Sequence, residues 1–96
     1  SLSETSTSAK ETILVVEDNE ELRVFLNNQL GKYYQIITVS NGVEAMETLK
    51  KHIINLIISD VMMPIMDGLE LCKSIKSNIE TCHIPIILLT AKNNPE

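Results

Sequence analysis

Residues 56–68 read Leu-Ile-Ile-Ser-Asp-Val-Met-Met-Pro-Ile-Met-Asp-Gly, and the fold follows from how that stretch changes character in its middle. Leu56, Ile57 and Ile58 form a short apolar run that suits a strand buried on both faces of a parallel sheet. Ser59 and Asp60 end the run. In open α/β sheets ligands bind outside the carboxyl ends of the strands, so a carboxylate at Asp60 stands at the mouth of a loop that Pro64 and Gly68 constrain. An Asp closing a strand is, taken alone, ordinarily a turn former or a helix cap, and the other strands decide the matter.

Ile13 to Val16 is a second apolar run, three of its four residues β-branched, and it ends abruptly in Glu17-Asp18-Asn19. A helix follows, capped by Asp18 or Asn19, with Glu20 and Glu21 in the first turn where acids suit the dipole. Leu22, Phe25, Leu26 and Leu30 fall on one face of it, and Gly31 stops it. One cap needs one side chain, so the second acid at this strand end is a surplus. Tyr34 to Val39 is a more polar strand and a candidate sheet edge. Asn41 then caps a helix, with Glu44 completing an Asn-x-x-Glu box, Ala45, Met46 and Leu49 inward, and Lys50, Lys51 and His52 at the cation-favouring end. His52 reads as a surface dipole partner, not a base. Asp67 and Glu70 make another box ahead of a buried stripe of Leu71, Cys72 and Ile75. Met62, Met63 and Met66 read as pliable filler around a loop. Pro85 opens a fourth strand, Ile86 to Leu89, which closes in the polar Thr90.

Strands alternating with helices across short connections imply an α/β, doubly wound parallel sheet with helices on both faces. Three apolar strands end in something polar: Glu17-Asp18, Asp60 and Thr90. With the first strand central, those ends converge at the switch point of the sheet.

Size and charge set the outer limits. A chain of 96 residues, 44% hydrophobic and 22% charged, is one domain close to the lower size for a self-sufficient core. The net charge of −5 and the lack of basic runs with interleaved aromatics exclude a direct nucleic-acid surface. Cys72 and Cys82 have no C-x-x-C spacing and no signal peptide ahead of them, which reads as two reduced thiols in a cytoplasmic setting. No apolar run is long enough to span a bilayer. Residues 1–12, rich in Ser and Thr, read as a flexible leader, linker or tag remnant, and 13–96 as the folded domain. The start at Ser1 and the stop at Asn93-Asn94-Pro95-Glu96 read as an excerpt of a longer chain.

Carboxylates crowded at one rim repel by roughly 4 kcal/mol per close pair, at about 4 Å and an effective dielectric near 20. An all-oxygen donor set calls for a hard divalent ion, Mg²⁺ above all, whereas zinc would want His and Cys. A carboxylate beside Mg²⁺ can attack phosphorus and form an acyl phosphate. Phosphoryl transfer onto Asp60 is the chemistry this pattern suggests.

Val16-Glu17-Asp18-Asn19, Asp60-Val61-Met62-Met63-Pro64-Ile65-Met66-Asp67-Gly68 and Ile87-Leu88-Leu89-Thr90-Ala91 resemble the receiver domain of bacterial two-component response regulators. The resemblance runs from Ile13 to the end and implies a flavodoxin-like sheet of order 2-1-3-4. It implies that Asp60 accepts phosphoryl from the phosphohistidine of a histidine kinase, in trans or within a hybrid chain. Glu17 and Asp18 would hold Mg²⁺ directly or through water, Met62 would lend its backbone carbonyl, and the Thr90 hydroxyl would swing toward the phosphoryl group. Glu17 stands where many members carry Asp. Members are expected to continue into a fifth strand ending in Lys-Pro, which lies beyond Glu96, and Lys92 does not replace that Lys. The fourth strand is then an exposed apolar edge, expected to drive self-association.

Two other functional classes fall away on the residues. An aspartyl-phosphate phosphatase places a second acid two residues after the nucleophile, and Met62 stands there. A nucleotide or flavin binder needs a phosphate-cradling glycine loop after Val16, which is missing. The competing reading is a receiver-like interaction module that docks without being phosphorylated.

Overall fold

A computed structural model describes residues 10–90. It contains β1 (Thr12–Val16), α1 (Glu20–Leu30), β2 (Gln35–Val39), α2 (Gly42–Lys51), β3 (Leu56–Asp60), α3 (Gly68–Lys76) and β4 (Ile86–Leu89). The strands form one parallel sheet in the order β2-β1-β3-β4, as the alternating pattern implies, with the polar second strand at an edge. Most of the leader read into residues 1–12 lies outside the described residues, as do Ala91 and Lys92. Thr12 itself belongs to β1, where its N–H donates to the Asn55 side chain at 2.8 Å.

The two faces of the sheet are unequally covered. Leu14, Val16 and Ile57 point to one face and pack with Ala45 of α2 and with Leu71 and Ile75 of α3 into the buried core. By alternation Ile13, Val15, Leu56, Ile58, Ile87 and Leu89 point to the other, where α1 lies and Leu30 lines a pocket with Ile13, Leu56 and Ile58. Two sequence expectations fail there for one reason. Leu56 and Ile58 are only half-buried, whereas β3 reads as covered on both faces. No residue of α1 is fully buried, and Phe25 of its apolar stripe is 55% exposed. Among the described residues a single helix covers this face, so the half of it over β3 and β4 stays open.

The caps also differ in detail. Asn19, not Asp18, caps α1, its side chain accepting the Leu22 N–H at 2.8 Å, which leaves the Asp18 carboxylate to the rim. The Asp67–Glu70 box is reciprocal. The Asn41–Glu44 pair is not: the Glu44 carboxylate reaches back to the Ser40 N–H and hydroxyl at 2.9 and 3.0 Å. Gly31 ends α1 at φ −63°, in right-handed conformation, so its left-handed freedom is not used. Met63 and Met66 fill core space, but Met62 is 74% exposed and fills none.

Candidate functional site

Parallel pairing in register decides which strand ends meet. Val16 lies opposite Ser59, and Asp60 opposite Leu89, so Glu17, Asp60 and Thr90 each follow or close a neighbouring strand at one rim. One carboxylate oxygen from each of Glu17, Asp18 and Asp60 lies within 4.8 Å of the other two. Acids from two separate stretches of the chain therefore share a site. Thr90 lines the same cavity, about 700 Å³, whose other wall is the apolar set Leu22, Phe25 and Leu89.

The three acids differ in environment. Glu17 is 4% exposed, Asp60 half-buried and Asp18 exposed. Burial pushes the Glu17 carboxyl above its ordinary value, the Asn19 N–H at 3.0 Å opposes this, and the neighbouring charges of Asp60 and Asp18 raise it further. Burial disfavours the ionised form because water no longer solvates it, and like charges add to the penalty. The Asp60 carboxylate accepts the Met62 N–H at 3.2 Å, and that main-chain contact is where the structure places Met62.

The loop from Asp60 into α3 is closed by backbone contacts that need particular residues. A Cβ at Gly68 would collide with the Asp60 carbonyl oxygen and come within 2.8 Å of the Val61 Cα, and the Gly68 N–H donates to the Val61 carbonyl at 2.9 Å. Only glycine allows α3 to start this close to the acid. Between them the Met66 N–H donates to the Pro64 carbonyl at 2.7 Å across Ile65, which sits at φ 72°. That region is a genuine outlier for a β-branched residue.

The donor set fits a hard divalent cation: three carboxylates offer oxygen alone, and Cys and His stay away from the rim. Cys72 and Cys82 are free thiols elsewhere. Sequence reading passed over Arg23, whose guanidinium donates to the Glu17 carbonyl at 2.8 Å, because a single Arg on an amphipathic helix reads as solvated.

A sequence model described as "response regulator receiver domain" matches residues 13–96. The chain belongs to the response regulator receiver domain family. The receiver domain is 48% identical over 85 residues to histidine kinase P4 of Formosa agariphila, an alignment covering 88% of this chain and 6% of that protein. It spans a small part of that relative. Among solved structures it resembles the signal receiver domain of a signal transduction histidine kinase from Syntrophus aciditrophicus, with a TM-score of 0.82 and 42% identity over 88% of this chain and 65% of that one. It also resembles the Mn(2+)-bound form of response regulator Rcp1, with a TM-score of 0.76 and 29% identity over 88% of this chain and 68% of that one. This receiver domain is thus a signalling module of two-component systems. Among the described residues no helix is long and apolar enough to cross a membrane.

Proposed function

We propose that this receiver domain accepts a phosphoryl group on Asp60 from the phosphohistidine of a histidine kinase, with Mg²⁺ held by Glu17, Asp18 and Asp60 and by the Met62 backbone carbonyl. The observation that carries the reading is the meeting of three carboxylates within 4.8 Å at one rim, a mutually repulsive arrangement that a dication relieves. A bound divalent ion supplies charge neutralisation for the phosphoryl oxygens. An Asp60 carboxylate oxygen forms the new O–P bond as the P–N bond breaks, and the electron pair goes to the imidazole nitrogen of the kinase. The Met62 N–H keeps the Asp60 carboxylate oriented toward the cavity. The Thr90 hydroxyl, at the end of β4 on the same cavity, contacts the added phosphoryl oxygens and passes the change to the rest of the domain, and Pro64 and Gly68 keep the loop in place. The domain assists its own phosphorylation and dephosphorylation and turns over no other substrate.

Its setting is the cytoplasm and its partner a histidine kinase, in trans or on the same chain, with no direct contact to nucleic acid. The family match over residues 13–96 supports reading that span as the domain, with the residues ahead of β1 as a leader or linker. β4 is an edge strand among the described residues, with Ile87 and Leu89 exposed on the open face, and a second copy pairing antiparallel to it would satisfy its free edge and set apolar neighbours beside both side chains.

Incubation with Mg²⁺ and acetyl phosphate followed by intact mass tests the central claim. A phosphoryl adduct on the parent that Asp60→Asn abolishes is the expected result. A parent that stays unmodified, both as this chain and in a longer chain carrying the Lys expected at the end of the fifth strand, would favour the phosphorylation-independent docking module instead.

A further inference from the structure

Two acids of the rim, Glu17 and Asp18, sit on the loop after β1, and loops hold a geometry only where something fixes them. Glu17 is held from both sides of its peptide units. Its N–H donates to the Val39 carbonyl at 3.0 Å, extending the β1–β2 pairing by one residue, and its carbonyl accepts from the Arg23 guanidinium at 2.8 Å. The second contact is unusual in its origin. Arg23, Leu26 and Leu30 are the half-buried residues of α1, spaced i, i+3, i+7 on its inward face, while the other eight residues of the helix are exposed. A cation therefore occupies a position where an aliphatic side chain would continue the stripe, and its head is spent on main chain.

The charge of the same guanidinium is felt at Glu44 in the first turn of α2. The Glu44 carboxyl is held below its ordinary value first by the Ser40 N–H, then by the Ser40 hydroxyl, with the charge of Arg23 adding to both against slight burial. Ser40 follows Val39 directly, the residue whose carbonyl receives the Glu17 N–H. Arg23 thus bonds the loop that carries two of the acids, and its charge reaches the first turn of α2.

We infer that Arg23 is a positioning residue for the dication site: its bond to the Glu17 carbonyl sets the direction in which the Glu17 and Asp18 side chains leave the backbone toward Asp60. This rests on the reading of the rim as a metal site. The alternative is that Arg23 is a counter-charge for the acidic cluster, and the two roles give opposite signs. Removing a counter-charge leaves the rim more negative and tightens cation binding. Removing a positioning bond lets the acids spread and loosens it.

The test is titration of the 96-residue chain with Mg²⁺, read by calorimetry and by the rise in Tm, for the parent, Arg23→Ala, Arg23→Met, Arg23→Gln and Arg23→Lys, with far-UV circular dichroism as a check on folding. Arg23→Ala and the neutral but hydrogen-bonding Arg23→Gln separate lost contact from lost charge, and Arg23→Lys keeps charge and one donor. The expected result is about tenfold weaker Mg²⁺ binding in Arg23→Ala, equivalent to ~1.4 kcal/mol, with at least half of the loss recovered in Arg23→Lys. Equal or tighter binding in Arg23→Ala overturns the positioning role. If Arg23→Ala does not fold, equal or tighter binding in Arg23→Met, which keeps the stem and removes every donor, overturns it equally. A parent that binds neither Mg²⁺ nor Mn²⁺ refutes the metal site itself, a failure distinct from that of Arg23.

Discussion

Replacing Asp60 by Asn should stabilise the metal-free protein, and the size of the effect follows from the rim geometry. The carboxylate oxygens of Glu17, Asp18 and Asp60 lie within 4.8 Å of one another. At that separation a pair of unit charges repels by roughly 3.5 kcal/mol at an effective dielectric of 20 and by about 0.9 kcal/mol in water. The Glu17–Asp60 pair belongs nearer the first figure because Glu17 is buried, and the pairs made by exposed Asp18 nearer the second. Glu17 escapes part of the repulsion by holding its proton longer, so a net gain of about 1–2 kcal/mol is the reasonable expectation in chelator. For a domain of this size that is a rise in Tm of roughly 5–15 °C. Asn keeps an acceptor for the Met62 N–H, so the change is one of charge and not of contact. With Mg²⁺ present at ten times its dissociation constant the parent should gain about 1.4 kcal/mol, and Asp60→Asn much less.

The pH dependence supplies the second arm. Glu17 has a folded-state value above the ordinary 4.5, so between 4.5 and that raised value the folded chain binds more protons than the unfolded one. Stability of the metal-free parent therefore falls as pH rises through that window, and the advantage of Asp60→Asn grows with it. Thermal melts in chelator and in Mg²⁺, between pH 5 and 8, measure all of this. An Asp60→Asn variant that melts at or below the parent in chelator at neutral pH would refute the idea that repulsion dominates the rim.

Gly68→Ala should cost about 2 kcal/mol, because the clash is with main chain at Asp60 and Val61 and no flexible side chain can yield; a thermal melt matching the parent would show that the loop is free to shift. Ile65→Gly should raise stability by about 0.5–1 kcal/mol, since it removes the left-handed penalty at φ 72° while giving up a side chain already 77% exposed. Denaturant midpoints check it, and a loss instead of a gain would mean that Ile65 packs more than its exposure indicates. Ile87→Lys, on the open face of the edge strand, should shift the chain toward monomer in light scattering at raised concentration; a parent that is already monomeric there removes the case for pairing through β4.

Much of this fold was legible in the chain because its signals are local. Apolar runs end at Val16, Ile58 and Leu89, Asp67 caps with Glu70, and Pro85 sits where a strand begins. Each depends on residues a few positions apart, and short-range hydrogen bonding and φ restriction settle them. The alternation of strand and helix then leaves few ways to connect parallel strands, so the meeting of Glu17, Asp18 and Asp60 could be anticipated without coordinates.

What needed the tertiary structure is whatever depends on which neighbour a side chain finds. The stripe Leu22, Phe25, Leu26 and Leu30 has the period of a buried face, yet how far it is buried depends on what else covers that side of the sheet. The Glu44 carboxylate accepts from Ser40 and not from the Asn41 N–H, a choice between two donors one residue apart. Arg23 looks like any surface cation until the Glu17 carbonyl is found within its reach. Period and capping are properties of a segment, whereas burial and partner choice belong to the packed chain. For that reason the sequence alone named the acids of the rim, and only the packing of α1 against the β1 end brought the Arg23 guanidinium to the Glu17 carbonyl.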